Sequence, residues 1–369
     1  MKSLPLFLVL VIIVGGIYFL EGMKPAPTKA LEIPITLTGT STGQNPAPKE
    51  KEGRFPRAKE IVSPAGFINT PNGAPITLQQ FIGKKVVLLD IWTYSCINCQ
   101  RTLPHIVDWN KKYGDHGLQI IGIHTPEFDF EKIKANVERA TKQYGILYPV
   151  VLDNDYGTWT AYGNRYWPRK YLIDIDGYIV YDHIGEGAYE VTERKIQELL
   201  KERSERLGEK FETSTVGGVP EAKIESGSPE TYFGSARNEY LGNGARGVSG
   251  EQTFTLPKNF SLNTLSLGGT WNLTKEYAEN KSPEAKIVFR YRAKNVYLVA
   301  GSEKGTEFKI LIDGKPLAEH RGKDVSKTSA VTIKEERLYK IIEGDTAEEH
   351  LLEIIIEKPG LRAFAFTFG

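Results

Sequence analysis

Residues 90–104 read DIWTYSCINCQRTLP, and the Cys96 and Cys99 within this stretch are the only cysteines among 369 residues. Three chemistries use two cysteines this close together. A structural clip is one, but so short a loop removes little freedom from the unfolded chain and stabilises little. A metal site is another. Zinc normally takes four ligands, and the nearest histidines, His105 and His124, lack the spacing that would complete a set, so no metal is expected. Redox exchange is the third. It needs the first cysteine exposed at a helix N-terminus, where free N–H groups and the macrodipole favour a thiolate. The sequence supplies that setting. A mostly apolar strand from Val86 to Trp92 ends in Thr93-Tyr94-Ser95, and helical spacing begins at the pair. In that arrangement Cys96 attacks, and Cys99, one turn inside the helix, resolves the mixed disulfide. The Cys96–Cys99 disulfide is then the only redox group required, and no cofactor is expected.

Outward from this stretch, strands and helices alternate over residues 62–206. KKVVLLDIW (84–92) and GLQIIGIHT (117–125) are continuous apolar runs of the kind buried in a central sheet. Residues 131–144 place Ile133, Val137, Ala140 and Tyr144 on one helical stripe. YPVVLD follows, then RKYLIDIDGYIVYDHIG, which predicts a hairpin turning at Asp176-Gly177. Ile196, Leu199 and Leu200 mark a closing helix. The order is that of an α/β sandwich. Residues 207–227 lose periodicity and read as a linker. From 228 to 369 short strands with turns replace the helices, including KIVFRYRA, NVYLVAG, FKILIDGKPL, HLLEIIIE and RAFAFTFG. These predict an antiparallel β-sandwich.

Composition narrows the partners. Charged residues are 25% and hydrophobic residues 40%, ordinary for a globular chain. With 47 basic and 46 acidic residues the net charge is +1, which argues against nucleic acid. The N-terminal twenty residues differ. Ser3 to Leu20 carry no charge, and as a helix they span roughly 27 Å, close to the bilayer core. They are expected to form a transmembrane anchor, with Lys2 cytoplasmic and the rest outside. A cleaved signal is the alternative, but no small-x-small site follows closely. Residues 21–61, rich in Pro, Thr, Gly and Lys, are expected to be a flexible tether.

The cysteine segment resembles the active site of the thioredoxin superfamily. Asp90 stands six residues before the first cysteine, Trp92 four before it and Pro104 five after the second, as in that family. RYWPRKYLID offers Pro168 where the family has a cis-proline facing the disulfide. The resemblance implies that buried Asp90 takes the proton from Cys99, that Pro104 kinks the helix, and that Trp92, Trp167 and Pro168 meet the client. The segment between the first helix and Pro168 is longer than a minimal thioredoxin needs and resembles the TlpA/ResA-like branch. WTYSCINCQRTLPH, GIHTPEF and NRYWPRKYLID further resemble the extracytoplasmic part of DipZ proteins, where a β-sandwich of the carbohydrate-binding-module (jelly-roll) kind follows. Two residues depart from these relatives. Ser95 replaces a tryptophan, and Thr102 stands where many TlpA-like members have a glutamate. Proton transfer would then rest on Asp90, or on Glu127 if its loop reaches the site.

The expected activity is membrane-anchored, extracytoplasmic thiol–disulfide exchange on protein thiols or disulfides. Electrons would come from a separate membrane protein of the CcdA/DsbD kind, since only one span is found. A thiol peroxidase is an alternative: Thr93 lies three before Cys96, but Leu89 holds the place where peroxidases have a proline. A surface binding module is another. Tyr232, Phe233, Tyr240, Trp271, Tyr277, Tyr291 and Tyr297 would serve a glycan or protein ligand if exposed, and would be core if buried.

Overall fold

The computed structural model describes residues 51–369. The strand before the cysteines is β2 (Val86–Trp92) of a six-stranded sheet, and every one of its residues is buried, as an apolar central strand requires. With β1 (Gly66–Ile68), β3 (Leu118–His124), β4 (Val150–Leu152), β5 (Arg169–Ile173) and β6 (Ile179–Ile184), the order is β1-β4-β3-β2-β5-β6. β2 pairs in parallel with β3, and β3 with β4, while β1 and the β5–β6 hairpin run antiparallel. Helices α1 (Ile97–Tyr113), α2 (Lys134–Gln143), α3 (Gly157–Ala161) and α4 (Tyr189–Leu207) pack around it. This is a thioredoxin-like arrangement. The edge strand β1 is too short to leave a periodic signal. The stripe predicted over 131–144 is shorter in the structure. Helix α2 starts only at Lys134, after a 3₁₀ turn, and Ile133 is 49% exposed.

The second half is all-β. Its strands are β7 (Thr231–Tyr232), β8 (Gly250–Phe254), β9 (Leu265–Leu273), β10 (Ala278–Asn280), β11 (Ala285–Gly301), β12 (Thr306–Ile312), β13 (Lys315–Pro316), β14 (Ala330–Ile333), β15 (Arg337–Ile356) and β16 (Arg362–Phe368). KIVFRYRA and NVYLVAG, read as two strands, are one. β11 runs through both, and a register shift between Ala293 and Asn295 absorbs the interrupting Lys294. β11 pairs with β15 along one edge. On its other edge it pairs with β9 through Lys286–Phe289 and with β16 through Val296–Gly301. Since β16 pairs with β10 and β10 with β9, four strands close into a ring. The layers expected of a sandwich are therefore hydrogen-bonded into one folded sheet around a shared core. The β12–β13 hairpin turns at Asp313 (φ 51°) and Gly314 (φ 76°), two left-handed residues in succession, the type I′ geometry that Asp-Gly favours.

The two halves share a hydrophobic seam. Phe364 of β16 lies 5.1 Å from Phe128 and 4.8 Å from Phe130, ring centre to ring centre. Tyr297, Val299 and Leu338 join the same buried cluster as Trp92, Leu103 and Ile106. The linker expected at 207–227 is held in place. Gln197 donates to Ser214 O, Lys112 to Gly217 O, and the Gly217 amide to Glu193. The flexible tether expected to reach residue 61 is likewise corrected at its end. Lys51 is buried, its ammonium 2.8 Å from Asp174 and 2.5 Å from Glu202. The main chain at Pro56 and Ala58 bonds to the β5–β6 hairpin. No helix among the described residues is long and apolar enough to cross a membrane, and the apolar run 3–20 lies outside them.

Candidate active site

Strand β2 delivers the site and helix α1 begins it. Cys96 is the N-cap residue of α1: its backbone is extended, and its Sγ accepts from the Cys99 amide at 3.4 Å. Both cysteines are thiols, Cys96 half-buried and Cys99 buried. Burial pushes the Cys99 thiol well above its ordinary range, and the neighbouring Cys96 and Asp90 add to the shift. Pro104 sits inside α1.

Asp90 lies on β2 with 1% of its surface exposed, and neither carboxylate oxygen has a hydrogen-bond partner among the described residues. Burial raises its pKa to about 6, against the opposing charge of Lys170. Lys170 is the residue that sequence reasoning missed. The β2–β5 register places it directly opposite Asp90, fully buried. Burial lowers its pKa to about 8, although the charge of Asp90 pulls the other way. Its ammonium donates to Gly185 O at 3.0 Å. The available signal was a lysine inside the apolar strand RKYLI, which a core tolerates only when it is paired.

The loop before the cysteines is held by a second missed residue, Glu131. Its buried carboxylate accepts from the Ser95 amide (3.1 Å), the Ser95 hydroxyl (2.7 Å), and the Glu127 and Phe128 amides (2.6 and 3.1 Å). Burial raises its pKa despite these donors. Ser95 is thus a buried anchor of the loop. Thr102 is also buried, donating to Asn98 O and lying 3.2 Å from the Tyr189 hydroxyl.

The client-facing residues divide. The Trp167–Pro168 bond is cis. The Trp167 indole donates to Thr125 O at 3.0 Å and packs against Trp159, and no hydrogen bond from the described residues reaches the Trp167 main chain. Trp92 is corrected: it is fully buried, edge-on to His124, and cannot meet a client. His124 is also buried, and burial lowers its pKa to about 3, so it is neutral. Glu127 does reach the site. It lines a cleft of about 520 Å³ that also holds Cys96 and Trp167. It accepts there from the Tyr232 hydroxyl at 2.8 Å and from Arg237 at 2.7 Å.

Elsewhere, Asp174, Asp176 and Glu202 bring three carboxylates together, and the Lys51 ammonium sits among them. Of the aromatic residues considered for a ligand face, Phe233, Trp271, Tyr291 and Tyr297 are buried in the cores. Tyr232 and Tyr277 are turned to the seam, where Tyr277 packs on Phe364.

Comparison with known proteins agrees with this geometry. Residues 51–200 match the Redoxin family and residues 228–369 match the family described as "Thioredoxin like C-terminal domain". The protein DipZ of Mycobacterium tuberculosis is 39% identical over 322 residues, which cover 87% of this chain and 43% of that protein. The chain therefore spans less than half the length of the DipZ proteins it matches. The thiol-disulfide oxidoreductase ResA of Halalkalibacterium halodurans is 33% identical over 129 residues, 35% of this chain and 68% of that one. The thiol-disulfide oxidoreductase YkuV of Bacillus subtilis is 25% identical over 127 residues, 34% of this chain and 85% of that one.

Proposed function

From the premise that this chain belongs to the thioredoxin superfamily, with ResA and DipZ among its relatives, we propose that it exchanges disulfides with protein clients through Cys96 and Cys99. One observation carries the reading: a dithiol at the start of α1 has beside it a buried carboxylate, Asp90, that makes no hydrogen bond among the described residues. Cys96 as thiolate attacks one sulfur of a client disulfide. That S–S bond breaks, a mixed disulfide forms, and the first client thiolate leaves and takes up a proton. Cys99 gives its proton to Asp90 and attacks Cys96 Sγ. The second client thiol departs with that proton, and a Cys96–Cys99 disulfide remains. Two electrons have passed from the protein to the client, and the reverse sequence oxidises a client dithiol.

Cys99 needs a base because its thiol is raised by burial, and Asp90, at about 6, is ionised at neutral pH and so able to serve. The unpaired main chain of Trp167 offers one donor and one acceptor to a client backbone. The apolar run 3–20 supports a membrane-anchored, extracytoplasmic placement, with electrons supplied by a membrane protein of the CcdA/DsbD kind. Cys99→Ser is expected to trap mixed disulfides with clients on non-reducing gels, and Cys96→Ser to trap none. Equal trapping by both variants, or by neither, would count against the proposal.

A further inference from the structure

The cysteine cleft has two walls, and they come from different halves of the chain. Asn98, Glu127 and Trp167 line it from the thioredoxin-like half, and Ser228, Tyr232 and Thr367 from the all-β half. We propose that the all-β half is a structural part of the client site, and that the client enters as an extended, cysteine-bearing polypeptide segment rather than as a folded surface. The inference rests on the exchange reading above and names the client class.

Three observations carry it. First, the second wall is fixed. Tyr232 and Arg237 both donate to Glu127, the Arg237 guanidinium lies 3.6 Å over the Tyr232 ring, and β7 is paired to β16. Since β16 also places Phe364 in the shared core, the wall cannot swing aside without opening the seam. Second, the space is small. About 520 Å³ lies within the range of small-ligand sites, while a folded client would have to bring a convex surface to Cys96 past both walls. An extended strand, advancing about 3.3 Å per residue, presents one cysteine at a time and can lie along such a cleft. Third, the lining suits a peptide backbone. Its three basic and three acidic side chains balance, with Arg101 paired to Glu186 and Arg237 to Glu127 and the remaining Arg165 and Glu230 of opposite sign, so a strongly charged ligand is not selected. The free N–H and C=O of Trp167 are the complement of a polypeptide main chain.

The test compares three disulfides on the intact, reduced protein. One is a pair of short linear peptides joined through single cysteines. The second is the same peptide joined to a surface cysteine engineered into folded ubiquitin. The third is oxidised glutathione. The peptide pair is expected to react about tenfold faster in kcat/KM than the ubiquitin conjugate. Ser228→Trp and Thr367→Trp, each narrowing the cleft from the all-β side, are expected to slow the peptide reaction by about tenfold. Circular dichroism melts establish that both variants fold, and Ser228→Thr gives a milder narrowing should tryptophan not be accommodated. Equal rates for peptide and ubiquitin conjugate, unchanged rates in all the narrowed variants, or oxidised glutathione outpacing the peptide would each overturn the inference while leaving exchange chemistry standing. If the wild-type protein reacts with none of the three although iodoacetamide still alkylates Cys96, the exchange reading fails and this one with it.

Discussion

The two halves of the molecule treat buried polar groups differently: among the described residues seven buried side-chain nitrogen or oxygen atoms lack a partner in the thioredoxin-like half, and two, Asn238 Nδ2 and Thr306 Oγ1, in the all-β half. In the all-β half, buried Asn280 satisfies everything it offers. Its Nδ2 donates to Ser282 O and Lys358 O, and its Oδ1 accepts from the Gly360 and Leu361 amides. The indole of Trp271, equally buried, donates to Gly268 O. In the thioredoxin-like half, both oxygens of Asp90, the Trp92 indole nitrogen and His124 Nδ1 are buried with no partner among the described residues, on β2, which leads to the cysteines, and on its neighbour β3. Unmet buried groups are costly. Where a fold keeps several beside a dithiol they are the mark of a site tuned for proton transfer. The all-β half uses most of its buried polar groups, Asn280 and Trp271 among them, to fix its shape.

This contrast predicts mutations of opposite sign. Asn280→Ala leaves the buried Leu361 amide without its partner and takes one bond each from the partly buried Gly360 amide and the Ser282 and Lys358 carbonyls, and is expected to destabilise by about 2–3 kcal/mol. Chemical denaturation measures this, and a loss under about 1 kcal/mol would break the comparison on the all-β side. Asp90→Asn is expected to stabilise. The folded pKa of Asp90, about 6, lies above the ordinary 3.8, so the folded state binds the proton more tightly than the unfolded. Its cost is absent below about pH 4, grows as pH rises, and is complete above about 6. Removing it gains at most about 3 kcal/mol at pH 7.5, less what Lys170 loses when its counter-charge disappears. Melting temperatures of the two proteins should separate at pH 7.5 and converge at pH 4. The same variant should slow resolution of the mixed disulfide, so that stability and turnover move in opposite directions.

What the sequence made legible follows the range over which each constraint acts. Asp90, Cys96, Cys99 and Pro104 stand within one strand–helix turn, so a short stretch of sequence carried the resemblance from which the fold and the chemistry were expected. Lys170 and Glu131 act across the fold. Lys170 matters only because β5 pairs with β2 in the register that sets it against Asp90, and Glu131 only because its turn folds back onto Ser95. Trp92 was misread because identity in a motif does not say which side of a buried strand a ring faces. The linker looked free because it has no periodicity, yet its anchors are main-chain groups held by Glu193, Gln197 and Lys112. The second wall of the cleft had no local signature, since it needs the seam between halves to exist.

Lys170→Met sharpens the comparison within the site. Lys170 is the opposing charge that holds Asp90 down, so its loss should raise Asp90 above about 6. The acid limb of the exchange rate should move to higher pH by about one unit, as expected for removal of an adjacent opposite charge. The direction for stability is separate. Lys170's pKa is lowered to about 8, so its burial costs stability below that pH and is relieved as pH rises from about 8 toward its ordinary 10.5. Methionine removes that cost but leaves Asp90 without a counter-charge, so the net change at pH 7 should be small. A pH–rate profile by stopped flow decides, and an unmoved acid limb would remove Lys170 from the proton path.

The smallest effect is expected at Ser95. Its hydroxyl donates to a carboxylate that also accepts from three amides, including the Ser95 amide itself. Ser95→Ala removes one of four donors from a buried anion without leaving it bare, so the loss should be about 1 kcal/mol, at the low end for a hydrogen bond to a charge. Because that bond favours ionised Glu131, its removal should push the Glu131 pKa further up, and the penalty should shrink as acid protonates the carboxyl. Denaturation at pH 7.5 and pH 5 measures both the size and its pH dependence. If the loss instead approaches that of Asn280→Ala, the loop before Cys96 is held as rigidly as the all-β core, and the tolerance for unmet polar groups begins only at Asp90.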